Sequence, residues 1–347
     1  MEKGGGGVKL SVGYQLRTDS GLIETIKENR DKISEIYFSF GDFPNGRNTV
    51  GFSDGMNRLE AAEKQKAELE ELKGCGIGFN LLLNGNCYGK NALSRAFFCK
   101  IGDTVEYLSS LLGLECVTTT SSLIAKFIKQ NFPEIRTRAS VNIGIESADG
   151  MDYIAEWFDS FYLKREYNRD FERLKQMRSW CDKNGKGLYG LANSGCLNHC
   201  SAHTFHDNLV SHEDEISEMD NAYRFEGQCH TYLKREEKRK QWLRITNFIR
   251  PEDVGMYEPY FDGIKLATRV NKNPCAVIRA YARGSFDGAV TSILEPDHSA
   301  LFYPFVVDNK KIDRDFAMKT VSCNKNCGSC GFCIETLENA LTRLGEF

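Results

Sequence analysis

Short apolar or alternating runs recur along this chain with amphipathic stretches between them, and no other feature narrows its folding choices so far. Period-two runs alternating with helix-period runs are the signature of βα units around a mainly parallel sheet. The pattern predicts eight strands: Val8–Tyr14, Glu35–Phe40, Ile77–Leu83, Glu115–Thr119, Thr137–Ile143, Ser160–Lys164, Gly187–Ala192 and Gly263–Thr268. Helical periodicity falls between them at Gly21–Ile33, Arg58–Lys73, Thr104–Leu112, Ser121–Asn131, Met151–Phe158 and Phe171–Lys183. The last strand feeds Pro274–Thr291, with proline at the first helical position. This is the count of a TIM-like (β/α)8 barrel. A doubly wound sheet is the rival, but no G-x-G-x-x-G follows the first strand, where a dinucleotide would need it.

Two segments break the repeat. From Cys196 to Asp262 the chain takes far longer to reach the eighth strand than a βα loop of ~2–6 residues and one helix require. The stretch from Asp297 to Phe347 follows the eighth helix and ends in a cysteine cluster and a short amphipathic helix, Ile334–Leu344. The expected organisation is a flexible N-terminal segment 1–7, a barrel 8–296 with a long insertion 196–262 before its last strand, and a cysteine-rich C-terminal extension 297–347.

Among the 347 residues no apolar stretch approaches the ~18–20 needed for a membrane span. The start, MEKGGGGVKL, has no apolar core of a secretory signal, so a cytoplasmic location is expected. A formal charge of −3 gives no global basic field of the kind that binds long nucleic acid by counterion release, although a local basic patch stays open. The expected partner is a small anionic substrate or a peptide, with a protein partner also open. Thirteen cysteines, an odd number with eight beyond residue 195, point to metal rather than disulfides in a reduced compartment.

Cys323, Cys327, Cys330 and Cys333 form C-x3-C-x2-C-x2-C, with Gly328 and Gly331 allowing one short loop to wrap thiolates around a compact centre. Structural zinc uses all-cysteine loops too, but more often as two separated C-x2-C knuckles, so iron–sulfur is favoured over zinc. A second group, Cys196 and Cys200, stands at the end of the seventh strand, and Cys229 follows within the insertion. Together they supply three corners of a cubane at the barrel mouth. The fourth corner is open between Cys275, just beyond the eighth strand, a residue of the tail cluster, a substrate and a small ligand. His199 and His203, four apart, admit a catalytic zinc with Cys200, rated below iron–sulfur. His206 and His212 read as ordinary loop residues, and Cys75, Cys99, Cys116 and Cys181 as small buried hydrophobes, with Cys87 open because it caps the third strand on the active face. Barrel active sites gather at the carboxyl ends of strands, which places Asn84, Arg165, Arg169 and Arg269 as candidate substrate-binding residues. The three arginines would clamp a carboxylate or phosphate, unless some form ion pairs with Glu166 or Asp170.

The run Asn193-Ser-Gly-Cys-Leu-Asn-His-Cys-Ser-Ala-His203, Cys229 with Tyr232 nearby, Ile249-Arg-Pro-Glu-Asp-Val254, Phe261-Asp-Gly-Ile-Lys-Leu-Ala-Thr-Arg269 and Ala280-Tyr-Ala-Arg-Gly284 resembles peptidase family U32, the collagenase-like proteins. In that family a cysteine pair, a later cysteine before a tyrosine, a "K-I-E-G-R" strand and a "Y-x-x-G"-like helix come in the same order. The resemblance implies a TIM-like barrel holding an oxygen-sensitive [4Fe–4S] cluster through Cys196, Cys200 and Cys229. It also implies chemistry wider than proteolysis, since several relatives are linked to oxygen-independent hydroxylation of RNA bases or quinone precursors, some with prephenate as oxygen donor. Ala267 and Thr268 stand where the family strand has glutamate and glycine, which puts any role of that glutamate in doubt. The tail cluster, not shared by every relative, suggests a second cluster or a closing tail.

The leading expectation is therefore an iron–sulfur modification enzyme carrying one or two [4Fe–4S] clusters and acting by hydroxylation or a related redox step on a small molecule, peptide or nucleotide. The alternatives are a U32-type peptidase and a non-catalytic iron–sulfur partner or electron carrier. A radical S-adenosylmethionine enzyme ranks last, because its C-x3-C-x2-C normally follows the first strand of a barrel rather than the last helix.

Overall fold

The computed structural model describes residues 7–19, 21–46 and 56–347; most of the expected N-terminal segment, residues 1–6, lies outside them. Eight parallel strands close a barrel in sequence order: β1 Lys9–Gly13, β2 Ile33–Phe38, β3 Gly78–Leu83, β4 Leu114–Thr119, β5 Arg136–Ala139, β6 Ser160–Tyr162, β7 Gly187–Leu191 and β8 Gly263–Leu266. Closure is made where β1 pairs with β8, Leu10 opposite Ile264 and Val12 opposite Leu266. All eight predicted strands are present, most of them shortened or shifted by one to four residues at their ends, with β2, β4 and β5 starting earlier than expected.

Local chemistry explains the helix boundaries. The helix Arg58–Lys73 starts on a capping box, in which the Asn57 side chain accepts from the Leu59 and Glu60 amides while Glu60 accepts from the Asn57 amide. The predicted Thr104–Leu112 is the second half of Arg95–Leu112, whose start is set by the Ser94 cap. The helix expected at Pro274–Thr291 ends at Arg283, since Gly284 takes the left-handed conformation (φ 71°) that only glycine adopts without strain. Met151–Phe158 is likewise corrected: only Ala148–Asp152 is helical there.

The outer strand faces and the surrounding helices share the main apolar core, which includes Val12, Phe38, Leu81, Val117, Phe161 and Leu266. The barrel interior is polar instead. Glu35 of β2 accepts from Ser11 Oγ (2.7 Å), Asn80 Nδ2 (2.9 Å) and Arg138 Nη1 (2.7 and 2.8 Å to its two oxygens). Arg138 also donates to Ser160 Oγ at 3.0 Å and lies 3.8 Å from the Tyr189 ring centroid. Burial works to raise the Glu35 pKa, but the Arg138 charge and these hydrogen bonds outweigh it and hold the carboxyl below its usual range. Such a pair is stable only when every partner is present.

The insertion and the tail pack on each other. A second core joins Leu233, Trp242, Leu243 and Phe248 of the insertion to Phe302, Val307, Ile312, Phe316, Leu337 and Ala340 of the tail. The tail helix runs Phe332–Ala340, not to Leu344 as expected, because Leu341–Arg343 forms a strand, β10, antiparallel to β9 Phe305–Val307. Arg250 of the insertion fastens it to the tail: its guanidinium grips Asp253 (2.8 and 3.1 Å) and reaches the Ile312 and Asp313 carbonyls (3.5 and 3.3 Å). No helix among the described residues is long and apolar enough to cross a membrane.

Candidate functional site

The ends of β3, β6 and β8 converge on a narrow cavity of about 70 Å³ lined by Asn84, Asn142, Arg165, Lys265 and Arg269. Asn84 is held by accepting from the Gly46 amide at 3.2 Å. Arg165 belongs equally to an adjoining chamber of about 500 Å³, whose walls include Cys196, Cys200, Cys229, His203 and His298. A guanidinium thus stands between a small polar cavity and a chamber lined by three thiols.

Each thiol is positioned by the backbone around it. After β7, Asn193 donates to the Ala267 and Ile293 carbonyls (3.1 and 2.9 Å) and accepts from the Ala267 amide (2.6 Å), fixing the turn that delivers Cys196. A side chain at Gly195 would come within 2.2 Å of the Pro296 carbonyl oxygen, so glycine permits the close pass, and the buried His298 donates from Nε2 to the Gly195 carbonyl at 3.0 Å. His199, with φ 55°, turns the chain before Cys200, and the helix His203–Ser211 begins beyond it. This corrects the idea that His199 and His203 share a helical face with Cys200. Cys229 sits in the first turn of the helix Gln228–Leu233.

The electrostatics tie these groups together. Burial pushes the Cys229 thiol up to about 11, and the nearby Cys196 and Cys200 add to the shift. Burial works against the Arg165 charge, yet Cys196, Asp207 and Glu166 more than restore it. Arg165 Nη2 meets His203 Nε2, which also lies 3.2 Å from Asp207 Oδ2. Burial and the Arg165 charge keep the His203 ring below its ordinary pKa, which favours the neutral form. Among the described residues, no three His, Cys, Asp or Glu side chains converge tightly enough to chelate one ion. A cubane takes each cysteine on a separate iron, and thiols that line one chamber beside a fixed cation suit that donor pattern.

Two expected site residues lie elsewhere. Arg169 is buried beneath the tail: it donates to the Leu243 carbonyl at 2.9 Å, and its guanidinium is 4.9 Å from the Phe316 ring centroid. It follows β6 on a 3-10 turn that carries it outward, away from Arg165. Cys275 opens the helix Pro274–Arg283 beside Gly21 and packs on the barrel's apolar core, outside the thiol chamber, which removes it as the fourth corner.

Cys323, Cys327 and Cys330 occupy the loop between the helices Phe316–Val321 and Phe332–Ala340, and Cys333 stands in the first turn of the second helix. They are neighbours: burial raises the Cys333 pKa, Arg169 opposes the shift, and Cys323, Cys327 and Cys330 reinforce it. Lys325, at φ 59°, turns the loop so that its amine meets the Thr320 carbonyl and the Arg169 carbonyl, the latter at 3.3 Å. None of the four lines the mouth chamber.

Other cysteines divide. Cys116 and Cys181 are buried, and burial pushes both to about 12, as inert core thiols. Cys99 is exposed on the outer face of Arg95–Leu112, contrary to expectation. Cys87 is different again. His212, first, and the Gly89 amide at 3.4 Å lower its pKa, and His212 Nδ1 in turn lies 3.1 Å from Glu215 Oε2. His212 is therefore no plain loop residue; the pairing spans the third βα loop and the insertion, which no local spacing reveals. Lys265 and Asn142 also escaped the sequence reading as site residues. The signal for Lys265 was present, a lone cation inside the apolar strand Gly263–Leu266.

No family model matches the chain. A protein of Methanocaldococcus jannaschii named an uncharacterized protease is 26% identical over 330 residues, which make up 91% of this chain and 91% of that one. A solved structure of a U32 peptidase shares the fold with a TM-score of 0.54 at 15% identity, covering 76% of this chain and 94% of that one. The barrel fold is therefore the one seen in a solved U32 peptidase. In this chain the cysteine pair after β7 and the cysteine of the insertion line one chamber, and Arg269 beyond β8 lines the cavity adjoining it.

Proposed function

We propose that this protein is a U32-type enzyme whose mouth thiols, Cys196, Cys200 and Cys229, hold a [4Fe–4S] cluster beside an anion-binding cavity, and that it carries out an oxygen-independent hydroxylation or related redox modification of a small anionic substrate. The observation that supports this most is the juxtaposition of three partly buried thiols and the Arg165 guanidinium in one chamber that opens onto Asn84 and Arg269. The cluster, when bound, supplies electron transfer or a labile iron for ligand activation. Arg165 and Arg269 orient the anion, Asn84 and Asn142 offer amide hydrogen bonds, and neutral His203 is poised to accept a proton near the chamber wall. On this reading the tail thiols, which do not line this cavity, hold a second cluster with a structural role. Anaerobic purification with iron and sulfide counting tests the cofactor, and turnover assays with and without prephenate test the reaction.

A second reading is a peptidase. Cys87, His212 and Glu215 form a thiol–imidazole–carboxylate line in which the thiol is activated, the arrangement that nucleophilic amide cleavage uses. The name of the M. jannaschii relative agrees with it. Loss of peptide hydrolysis in Cys87→Ser with cluster content unchanged would support this reading over the first.

A further inference from the structure

Lys265 is a charged residue type in an uncharged place. It lies in β8, is 7% exposed, and lines the narrow cavity together with Arg165, Arg269, Asn84 and two carboxylates, Glu295 and Asp207, the latter 3.2 Å from His203. Its amine lies 3.9 Å from the Tyr37 ring centroid and 5.4 Å from that of Tyr162. Those phenols are hydrogen-bond donors and π faces; they are not counterions. The carboxylate of the barrel interior, Glu35, is committed to Arg138, Asn80 and Ser11. Among the described residues no carboxylate or carbonyl accepts a bond from Lys265. Buried ammonium groups ordinarily find a counterion, because desolvation disfavours the charged form. Lysines left without one in a cavity are the ones enzymes use as neutral amines. The charged groups around Lys265 act in the same direction on balance: burial first, then Arg269 and Arg138, bring its pKa down to about 7 against the opposing pull of Glu35.

We infer that Lys265 is a nucleophilic amine that forms an imine with a small carboxylate bearing an aldehyde or ketone carbonyl, the carboxylate being held by Arg165 and Arg269. The inference takes from the proposed function only the small anionic substrate. The Nζ lone pair attacks the carbonyl carbon, and the carbonyl π electrons pass to oxygen. The nitrogen proton moves to that oxygen, and loss of water leaves the C=N bond. Nothing is oxidised or reduced. Guanidinium forks suit a carboxylate, and the cavity's small size suits a ligand of a few heavy atoms.

Glyoxylate and pyruvate are the probes, each added to the full-length protein with cyanoborohydride, which converts an imine to a stable secondary amine; peptide mapping then locates the adducts. Lys265 is expected to be modified first, at least about tenfold faster than the exposed Lys66, with a rate that rises to half its maximum near pH 7. Acetaldehyde, which lacks the carboxylate, is expected to label it more slowly. Lys265→Met is expected to lose this adduct while keeping the iron content and cooperative unfolding of the parent. If Lys265 stays unmodified, or reacts no faster than Lys66, the amine is not the nucleophile. Equal rates with acetaldehyde and glyoxylate would overturn the carboxylate clamp. Iron measured on the same samples tests the cluster separately, so either idea can fail alone.

Discussion

The mouth thiols and the tail thiols are both groups of cysteines on short spacings, yet the protein places them in opposite circumstances. Cys196, Cys200 and Cys229 come from two distant stretches of chain and line a chamber of about 500 Å³ with Arg165. Cys323, Cys327, Cys330 and Cys333 come from one loop and the helix start that follows it, two of them exposed, packed on the insertion through Arg244 and beside Arg169 of the barrel. A site assembled from separate elements around an open space has room for a substrate. A site wound from one loop over a packed surface has a surface to hold in place. The difference teaches that ligand spacing alone does not tell working thiols from bracing ones; what surrounds them does.

Serine substitution should separate the two groups most sharply. Cys196→Ser, Cys200→Ser or Cys229→Ser is expected to abolish turnover, whereas Cys323→Ser or Cys330→Ser is expected to cost metal and thermal stability first, with turnover surviving in the folded fraction. Parallel iron counts, melting curves and turnover assays read both. The barrel beneath the mouth provides the next largest effect. Arg138→Met leaves Glu35 buried without its cation and is expected to cost about 3–5 kcal/mol in denaturant unfolding.

The two arginines after β6 sharpen the comparison further. Arg169→Gln removes a buried guanidinium from between Phe316 and the Leu243 carbonyl and is expected to cost about 2 kcal/mol of stability, with small-anion affinity little changed. Arg165→Gln is expected to do the reverse, weakening anion binding about tenfold by calorimetry with a smaller loss of stability.

The smallest effect is on pH dependence. Lys265 is lowered to about 7 in the fold by burial, against about 10.4 unfolded, so between those values the unfolded chain binds the proton and the folded chain does not. This site therefore adds stability as pH rises from about 7 towards 10, and the Lys265→Met variant should lose that rise. Glu35 acts at the other end. Its lowered pKa gives a contribution that is complete above the unfolded carboxylate range and is lost as pH falls through the folded value.

The barrel was legible because period-two and helical runs are local: each strand announced itself within about six residues, while helix ends fixed by caps such as Ser94 and Gly284, and most of the helix expected at Met151–Phe158, were misjudged. The cysteine groups were legible as spacings. What the spacings did not carry was direction. Arg165 and Arg169 are four apart in one polar run, yet the 3-10 turn at Arg165–Tyr167 sends one to the mouth and the other under the tail. Cys275 shares the face of the barrel end but not its chamber. The union of insertion and tail in one core joins residues such as Trp242 and Phe302, and the Cys87–His212 pairing spans more than a hundred positions; no periodicity records such contacts.

The account rests on the mouth thiols holding a cluster, and the direct measurement is iron and acid-labile sulfide per chain in anaerobically purified protein, parent beside Cys196→Ser. The prediction is iron with matching sulfide and broad absorption near ~400 nm in the parent, with the mouth share lost and the tail share kept in the variant. Stoichiometric zinc without sulfide, or iron content unchanged by Cys196→Ser, would contradict it.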